Sequence, residues 1–251
     1  MKRGFYTIMS AQFFSSLADN ALFVAAVELL RTSGAPEWQR AALVPMFALF
    51  YVVLAPFVGA FADALPKGRV MFFSNAIKIV GCLMMLFGSH PLIAYAVVGL
   101  GAAAYSPAKY GILTELLPAS QLVKANGWIE GLTIASIILG VLLGGQLVGH
   151  HLSAALLSID IPMIDFGIHT AAEAAIAALI LVYALAAWFN TRIPHTGVEM
   201  RPLRQHPQRS ILASTLALLP DFWACNSRLW HDKLGQISLS TTTLFWGAGG
   251  N

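Results

Sequence analysis

Charged side chains interrupt the long apolar runs of this sequence, and they are the residues that could do chemistry. By helical rise, Asp19 lies about 21 Å from the start of the first run, and Lys78 lies about 12 Å into the third. Lys109 follows Tyr105 and Pro107 near the end of the fourth run. A charge deep in a bilayer costs about 2.5–3.5 kcal/mol and must face protein or a polar cavity. We therefore expect Asp19 and Lys109 to line a polar path, although a lysine that snorkels to the head groups would also explain Lys109.

The composition indicates an all-α integral membrane protein. Of the 251 residues, 57% are hydrophobic and only 11% are charged, whereas a soluble domain carries about 25% charge. The apolar runs are about 20 residues long and do not alternate, which favours helical spans over a β-barrel. The net charge of +3 requires no nucleic acid. Cys82 and Cys225 are not expected to form a disulfide.

Six membrane spans are predicted, followed by a connector and a further apolar stretch. The spans are Phe5–Leu30, Ala42–Asp63, Val70–Ser89, Leu92–Leu117, Gly127–Gly149 and Ala171–Phe189. Residues 1–192 are thus predicted to form a six-helix bundle. Residues 193–233 are predicted to be a cytoplasmic connector with an interfacial helix between Ile211 and Trp230. Residues 234–251 are predicted to be a truncated seventh span.

The distribution of Lys and Arg predicts a cytoplasmic N-terminus. Most of these residues fall on one side of the six spans, and only Arg31 and Arg40 fall on the other. Basic residues are enriched on the cytoplasmic side of membrane proteins. The start of the chain superficially resembles a signal peptide. Because Asp19 and Asn20 interrupt the first run and five spans follow it, we interpret this run as the first membrane helix.

The loop between the second and third predicted spans carries a glycine and charge motif. Its residues are Gly59, Asp63, Lys67, Gly68 and Arg69. Glycine allows close approach of helices, and Asp63 can pair with a cation in one conformation and release it in another. An ordinary charged loop would also fit. The motif resembles that of the major facilitator superfamily. That family usually has a basic residue directly after the aspartate, whereas this sequence has Ala64.

Small residues recur at helical spacing in the fifth predicted span. Gly140 with Gly144, and Gly145 with Gly149, are small-xxx-small pairs. Such pairs let membrane helices pack closely, which explains most of these glycines. The run resembles the glycine-rich fifth helix of the superfamily. The proline of the antiporter version is missing, so antiport is not inferred.

Several motifs in the same order resemble one branch of that superfamily, the bacterial lysophospholipid transporter (LplT) family. They are Ala11–Phe14 with Asp19–Leu22, Lys67–Met71, Tyr105–Leu113, Leu122–Gly127 with Glu130, and Leu244–Gly249. The resemblance covers residues 5–145 and 234–250. It implies the N-terminal six-helix bundle of a twelve-helix transporter, together with the start of the seventh helix.

The resemblance also implies a function and a location. The family moves lysophospholipids, chiefly lysophosphatidylethanolamine, from the outer to the inner leaflet of the bacterial inner membrane for re-acylation. The implied partners are the lipid substrate, the bilayer and an acyltransferase/acyl-ACP synthetase, which is fused to the transporter in some relatives. No cofactor or metal is implied.

The resemblance and the charges together predict the site residues. Asp19, Asn20, Tyr105 and Lys109 are predicted to bind substrate, with Asp19 on the ammonium and Lys109 on the phosphate of the head group. Gly59, Asp63, Lys67, Gly68, Arg69 and Glu130 are predicted to form a gating motif. Since the fourth and fifth spans are expected to be antiparallel neighbours, Lys109 should pair with Glu130 or share a cluster with it near Asp63.

Other classes of function remain open at this stage. One is a superfamily transporter of a drug or another small molecule. Another is a non-transporting membrane module that docks an acyltransferase. The sequence has no G-x-S-x-G, H-E-x-x-H, P-loop or paired-cysteine motif, so no enzyme is predicted. His150 and His151 lack a third ligand at sensible spacing, so no metal site is predicted.

Overall fold

The computed structural model describes residues 3–158, 168–194, 196–198, 200 and 215–249, and every regular element within them is a helix. Eight helices lie in a first compact unit, Met1–Arg201. They are α1 (Arg3–Thr32), α2 (Glu37–Val53), α3 (Ala55–Ala64), α4 (Lys67–Leu86), α5 (Pro91–Leu116), α6 (Ala119–Val148), α7 (His150–Leu157) and α8 (Ala171–Thr191). A second unit, Pro202–Asn251, contains α9 (Leu218–His231) and α10 (Lys233–Gly249).

The predicted all-α membrane fold is confirmed by the length and composition of these helices. Five of them, α1, α4, α5, α6 and α8, are long and apolar enough to cross a membrane. The bent pair α2 and α3 raises the number to six if it is one span. This number of spans refers to the described part of the chain.

The second predicted span is not one continuous helix. It starts at Glu37 rather than Ala42, and it breaks at Leu54, where α2 and α3 meet at an angle of 65°. Pro56 lies in the first turn of α3. Proline lacks an N–H and its ring clashes with the carbonyl four residues earlier, so a break just before it is the expected outcome.

The fourth and fifth predicted spans differ from the structure in other ways. Pro107 removes a backbone donor from the fourth span, yet α5 continues through it. Membrane helices tolerate such prolines because neighbouring groups satisfy the freed carbonyl. The fifth span was predicted to start at Gly127, whereas α6 starts at Ala119. An apolar window detects only the membrane-embedded part of a helix, and the first turns of α6 are polar.

Local signals account for the helix ends next to the turns. α4 and α5 form a tight hairpin, in which Gly88 has φ +78° and the His90 side chain accepts a hydrogen bond from the Leu92 N–H. A positive φ favours glycine. α8 begins with a capping box, in which Thr170 and Glu173 satisfy each other's backbone N–H groups.

Two hydrophobic clusters fill the first unit, and polar residues separate them. One cluster includes Leu22, Cys82, Tyr95 and Ile176, and the other includes Ile8, Met71, Ile112 and Ile129. Along α1 and α4, the residues between the clusters include buried Ser15, Asn75 and Lys78. The bundle therefore has a polar layer, made by α1 and α4, between two apolar layers.

Glycines let the neighbouring helices approach closely. A Cβ atom on Gly140 would lie 2.6 Å from the Leu17 carbonyl oxygen, and one on Gly144 would lie 2.7 Å from the Ala21 carbonyl oxygen. α6 therefore packs chiefly on α1, and α5 packs on α4 and α2. The fourth and fifth predicted spans do contact each other, but α6 packs far more extensively on α1, because its glycines match the α1 backbone.

In the second unit, α9 and α10 pack against each other. The backbones come close at Gly235, where a Cβ atom would lie 2.4 Å from the Leu229 carbonyl oxygen. α9 falls mostly within the predicted interfacial helix, and much of the predicted connector lies outside the described residues. That α10 forms a seventh span stays a prediction, as do the domain boundaries.

Adjacent glycines of α6 provide a matched test of this packing. Gly144→Ala should lower the free energy of unfolding by about 1–3 kcal/mol, because the new methyl group meets the α1 backbone. Gly145→Ala should leave it unchanged or raise it by up to about 1 kcal/mol, because nothing lies within 4 Å of a Cβ atom there. Thermal unfolding of the purified protein in detergent gives both values. Equal effects of the two variants would contradict the α1–α6 interface.

Candidate functional site

A buried ion pair lies in the polar layer of the bundle. The Lys78 ammonium on α4 donates to the Asp19 carboxylate on α1 at 2.7 Å. The Lys78 side chain is 1% exposed and the Asp19 side chain 18% exposed. An aspartate and a lysine that had no assigned partner in the sequence are thus partners of each other. The pairing explains how both charges are tolerated within apolar helices.

Three further polar side chains complete the surroundings of the pair. The Tyr183 hydroxyl on α8 donates to the second Asp19 oxygen at 2.7 Å. Ser15 accepts from Lys78 at 2.9 Å and donates to the Asn75 side-chain oxygen at 2.8 Å. Both oxygens of Asp19 therefore have partners, and three helices, α1, α4 and α8, meet at this network.

Two donors next to the network have no hydrogen-bond partner. They are the Tyr105 hydroxyl and the Asn75 side-chain nitrogen, and both atoms are buried within the described residues. The Lys78 ammonium also lies 5.2 Å from the centroid of the Tyr105 ring. Buried polar groups usually have a partner. The predicted site residue Tyr105 thus contacts the ion pair by its ring and has a free hydroxyl.

Asn20, the fourth predicted substrate residue after Asp19, Tyr105 and Lys109, is engaged within its own helix. Its side-chain nitrogen donates to the Ser16 carbonyl oxygen at 2.8 Å. Its Cβ atom lies 2.8 Å from the position of a Cβ atom on Gly140 of α6. In this structure Asn20 is a packing residue between α1 and α6, so a substrate contact by Asn20 stays a prediction.

Lys109 and Glu130 do not form the ion pair that the sequence predicted. The Glu130 carboxylate instead accepts from the Tyr110 hydroxyl at 2.7 Å. The Lys109 ammonium lies 4.5 Å from the centroid of the same Tyr110 ring. Tyr110 therefore contacts both residues, Lys109 through its ring and Glu130 through its hydroxyl. Neither residue forms a hydrogen bond or an ion pair with Asp63 in the described structure.

The glycine and charge motif forms its own polar group at the α3–α4 turn. Lys67 forms ion pairs with Asp63 and, at 3.8 Å, with Glu115 of α5. The Thr196 hydroxyl donates to Glu115. Arg69 has no ion pair within the described residues. The pairing of Asp63 with a neighbouring cation is thus present, and Glu115 is an additional anion that the sequence reasoning missed.

The two glycines of the motif have different surroundings. A Cβ atom on Gly68 would lie 3.1 Å from the Asn190 carbonyl oxygen, whereas nothing lies within 4 Å of the corresponding position on Gly59. Close helix approach was the reason given for both glycines, and it holds only for Gly68. A cavity of about 810 Å³ opens beside this loop and is lined by Lys67, Arg69 and Glu115, among other residues.

Other residues of the site were also missed in the sequence. Ser15, Asn75 and Tyr183 resemble ordinary residues of apolar spans, and Tyr110 resembles an aromatic residue at a helix end. Only Lys78 carried a signal, since a lone lysine inside a span needs an anion at a similar depth. Helical rise places Asp19 and Lys78 at depths that differ by about 9 Å, so the sequence did not identify Asp19 as that anion.

The ion pair can be tested by a double-mutant cycle. Asp19→Asn and Lys78→Met should each lower the free energy of unfolding by about 3–5 kcal/mol, because each leaves one buried charge unpaired. The double variant should lose much less than the sum. Arg31→Gln, which removes an exposed ion pair with Glu28, is the control and should change little. Additive losses in thermal unfolding would show that Asp19 and Lys78 do not interact.

Comparison with known proteins places this chain in a family. The sequence profile of the Major Facilitator Superfamily matches residues 8–249. The lysophospholipid transporter LplT of Yersinia enterocolitica is 41% identical over 249 residues, which is 99% of this chain and 55% of that protein. The proteins of the same name from Yersinia pestis and Yersinia pseudotuberculosis are each 40% identical over 99% of this chain and 54% of their own length. The chain therefore spans about half the length of these curated relatives. The profile matches most of the chain, and the described helices include five or six that are long and apolar enough to cross a membrane. The chain belongs to the Major Facilitator Superfamily.

Proposed function

We propose that this protein moves lysophospholipids across the bacterial inner membrane. The observation that carries the proposal is a polar layer with charges of both signs inside an otherwise apolar bundle. The substrate class is suggested by the relatives, which are named lysophospholipid transporters and match 99% of this chain. The protein acts as a transporter and not as an enzyme in this proposal.

The chemistry of a lysophospholipid fits such a bundle. The molecule has one acyl chain and a charged head group, and the head group needs a shielded polar route through the membrane. The acyl chain can stay in apolar surroundings throughout. A few charged residues among apolar helices suit this substrate better than they suit a sugar, which needs many hydrogen-bonding side chains.

Lys109 is the residue we assign to the lipid phosphate. Its ammonium has no hydrogen bond to any described residue, although the residue is only 8% exposed. A lysine in this state has three donors available for phosphate oxygens. The unpartnered Tyr105 hydroxyl on the same helix can donate to the same group.

Asp19 is assigned to the positive end of the head group, but its carboxylate is already occupied in this structure. Lys78 and Tyr183 already occupy its two oxygens. A substrate ammonium must therefore compete with Lys78 for the carboxylate. We propose that Asp19 meets the head group only while the polar layer rearranges during transport.

The remaining parts of the proposal concern specificity, partners and gating. The preferred substrate is lysophosphatidylethanolamine, which an acyltransferase/acyl-ACP synthetase re-acylates after transport. The N-terminus lies in the cytoplasm, as the distribution of Lys and Arg favours. The motif of Asp63, Lys67 and Glu115 acts as a cytoplasmic latch, since paired charges at a helix turn can separate when the bundle moves.

Uptake by cells that carry the gene tests this function. Spheroplasts with the wild-type protein should accumulate labelled lysophosphatidylethanolamine above the level of cells without it. Per unit of folded protein, Lys109→Gln should reduce uptake roughly tenfold or more, because a charge-assisted contact to the phosphate is lost. Asp19→Asn should reduce it as well, and both variants are compared with Arg31→Gln.

Two results would contradict the proposal. One is no uptake of the lipid by the wild-type protein, which would favour another substrate of the superfamily. The other is normal uptake by Lys109→Gln and Asp19→Asn, which would remove both residues from the head-group path.

A further inference from the structure

The cavity of about 810 Å³ beside the α3–α4 turn lies where α4 begins and α8 ends. All of its lining belongs to the first compact unit. The charged residues of the lining are Asp63, Lys67, Arg69 and Glu115. Lys67 pairs with both carboxylates, so Arg69 is the cation of this lining that has no ion-pair partner among the described residues. Its guanidinium is available to an anion that enters the cavity.

The start of α4 adds further donors to the same wall. Pro66 precedes the helix, and no side chain caps its first turn. The N–H groups of Lys67 and Gly68 form no hydrogen bond with a described residue. Because free N–H groups and the helix dipole both favour negative charge, such a helix start is a suitable place for a phosphate.

A buried amide side chain next to this helix start lacks a partner. Asn190 of α8 also lines the cavity and is only 1% exposed, and its backbone oxygen lies 3.1 Å from the position of a Cβ atom on Gly68. Both polar atoms of its side chain are buried without a hydrogen bond to a described residue. Buried polar atoms nearly always have partners, because an unmade hydrogen bond is costly. A polar ligand in the cavity can supply the partner that Asn190 lacks.

Aromatic side chains indicate that this end of the bundle lies at a membrane–water interface. Phe72 and Phe73 line the cavity and are exposed, and helical rise places them about 6–8 Å beyond Gly68 along α4. On α8, the exposed Trp188 has the Arg192 guanidinium 4.8 Å from its ring centroid. Tryptophan is enriched at membrane interfaces, and basic pockets between membrane helices bind phospholipid head groups. The cavity thus has a polar wall next to apolar rings.

We propose that this cavity binds the phosphate group of a two-chain phospholipid from the surrounding leaflet. Arg69, the first N–H groups of α4 and the Asn190 amide hold the phosphate, and the acyl chains pass over Phe72 and Phe73. The bilayer supplies such lipids in large excess, which favours occupation by mass action. The lipid stays bound between α4 and α8 and is not the transported molecule, so the inference goes beyond the proposed function.

Thermal unfolding of the delipidated protein in an uncharged detergent tests this site. Dioleoylphosphatidylglycerol should raise the Tm of the wild-type protein. Arg69→Gln should raise the lipid concentration that gives half of this shift roughly tenfold, because a charge-assisted contact to the phosphate is lost. Arg31→Gln, at an exposed arginine near the opposite end of α1, is the matched control and should respond like the wild type.

Two further ligands identify which part of the lipid is bound. Dioleoylglycerol has the same chains without a phosphate, and inorganic phosphate has no chains. Neither should raise the Tm at the concentrations at which the phospholipid does, because each lacks half of the contacts.

Asn190→Leu separates lipid binding from folding. Without lipid, this variant should keep the wild-type Tm or exceed it, because a buried amide without a partner is removed. Its response to dioleoylphosphatidylglycerol should weaken roughly tenfold, as in Arg69→Gln.

Three results would overturn the inference. Equal responses of the wild type, Arg69→Gln and Asn190→Leu to the phospholipid would show that the lipid acts elsewhere on the protein. A shift of the same size with inorganic phosphate alone would make the cavity a site for a free anion. A marked fall in the lipid-free Tm of Asn190→Leu would show that the amide already has a partner within the protein.

Discussion

The ion pair between Asp19 and Lys78 is the interaction on which this bundle depends most. Each charge alone would be very unfavourable in an apolar environment, so the helices α1 and α4 that carry them must stay side by side. Tyr183 brings α8 to the same point by its bond to Asp19. The two hydrophobic clusters lie along the helices on either side of this layer. Inside a membrane no water is present to drive apolar helices together. A specific polar contact therefore contributes strongly to which helices become neighbours.

Close packing of small residues is the second constraint, and it determines where the functional side chains can meet. The glycines of α6 place its backbone directly on α1. Glu130 of α6 accepts a hydrogen bond from the hydroxyl of Tyr110 on α5, and the Lys109 ammonium lies over the ring of the same tyrosine. Within the described residues, neither Lys109 nor Glu130 has an ion-pair partner, whereas Asp19 and Lys78 pair with each other. Complete pairing at Asp19 gives stability, and incomplete pairing at Lys109 leaves an ammonium that a head-group phosphate can use.

The sequence predicted the membrane class and most spans because apolar runs report membrane crossing directly. It did not predict the break at Leu54, although Pro56 was a signal for it. The Asp19–Lys78 pair was missed because helical rise put the two residues at depths that differ by about 9 Å, and helix tilt with a long lysine side chain closes that difference. The Tyr110 contact could not be predicted, since it depends on which side chains of α5 and α6 meet. Helix neighbours are set by the fit of many small surfaces, which no single motif encodes.

The central claim is that a lysophospholipid head group travels past the polar face that Asp19, Tyr105 and Lys109 form or adjoin. Photocrosslinking tests it most directly. A lysophosphatidylethanolamine with a photoreactive group next to its ammonium would be irradiated with the protein in membranes, and the modified peptides identified by mass spectrometry. The account predicts labelling of α1 and α5 around Asp19, Tyr105 and Lys109, with competition by unlabelled lipid. Labelling confined to exposed apolar residues such as Val80 and Leu181, with none around these three residues, would contradict it.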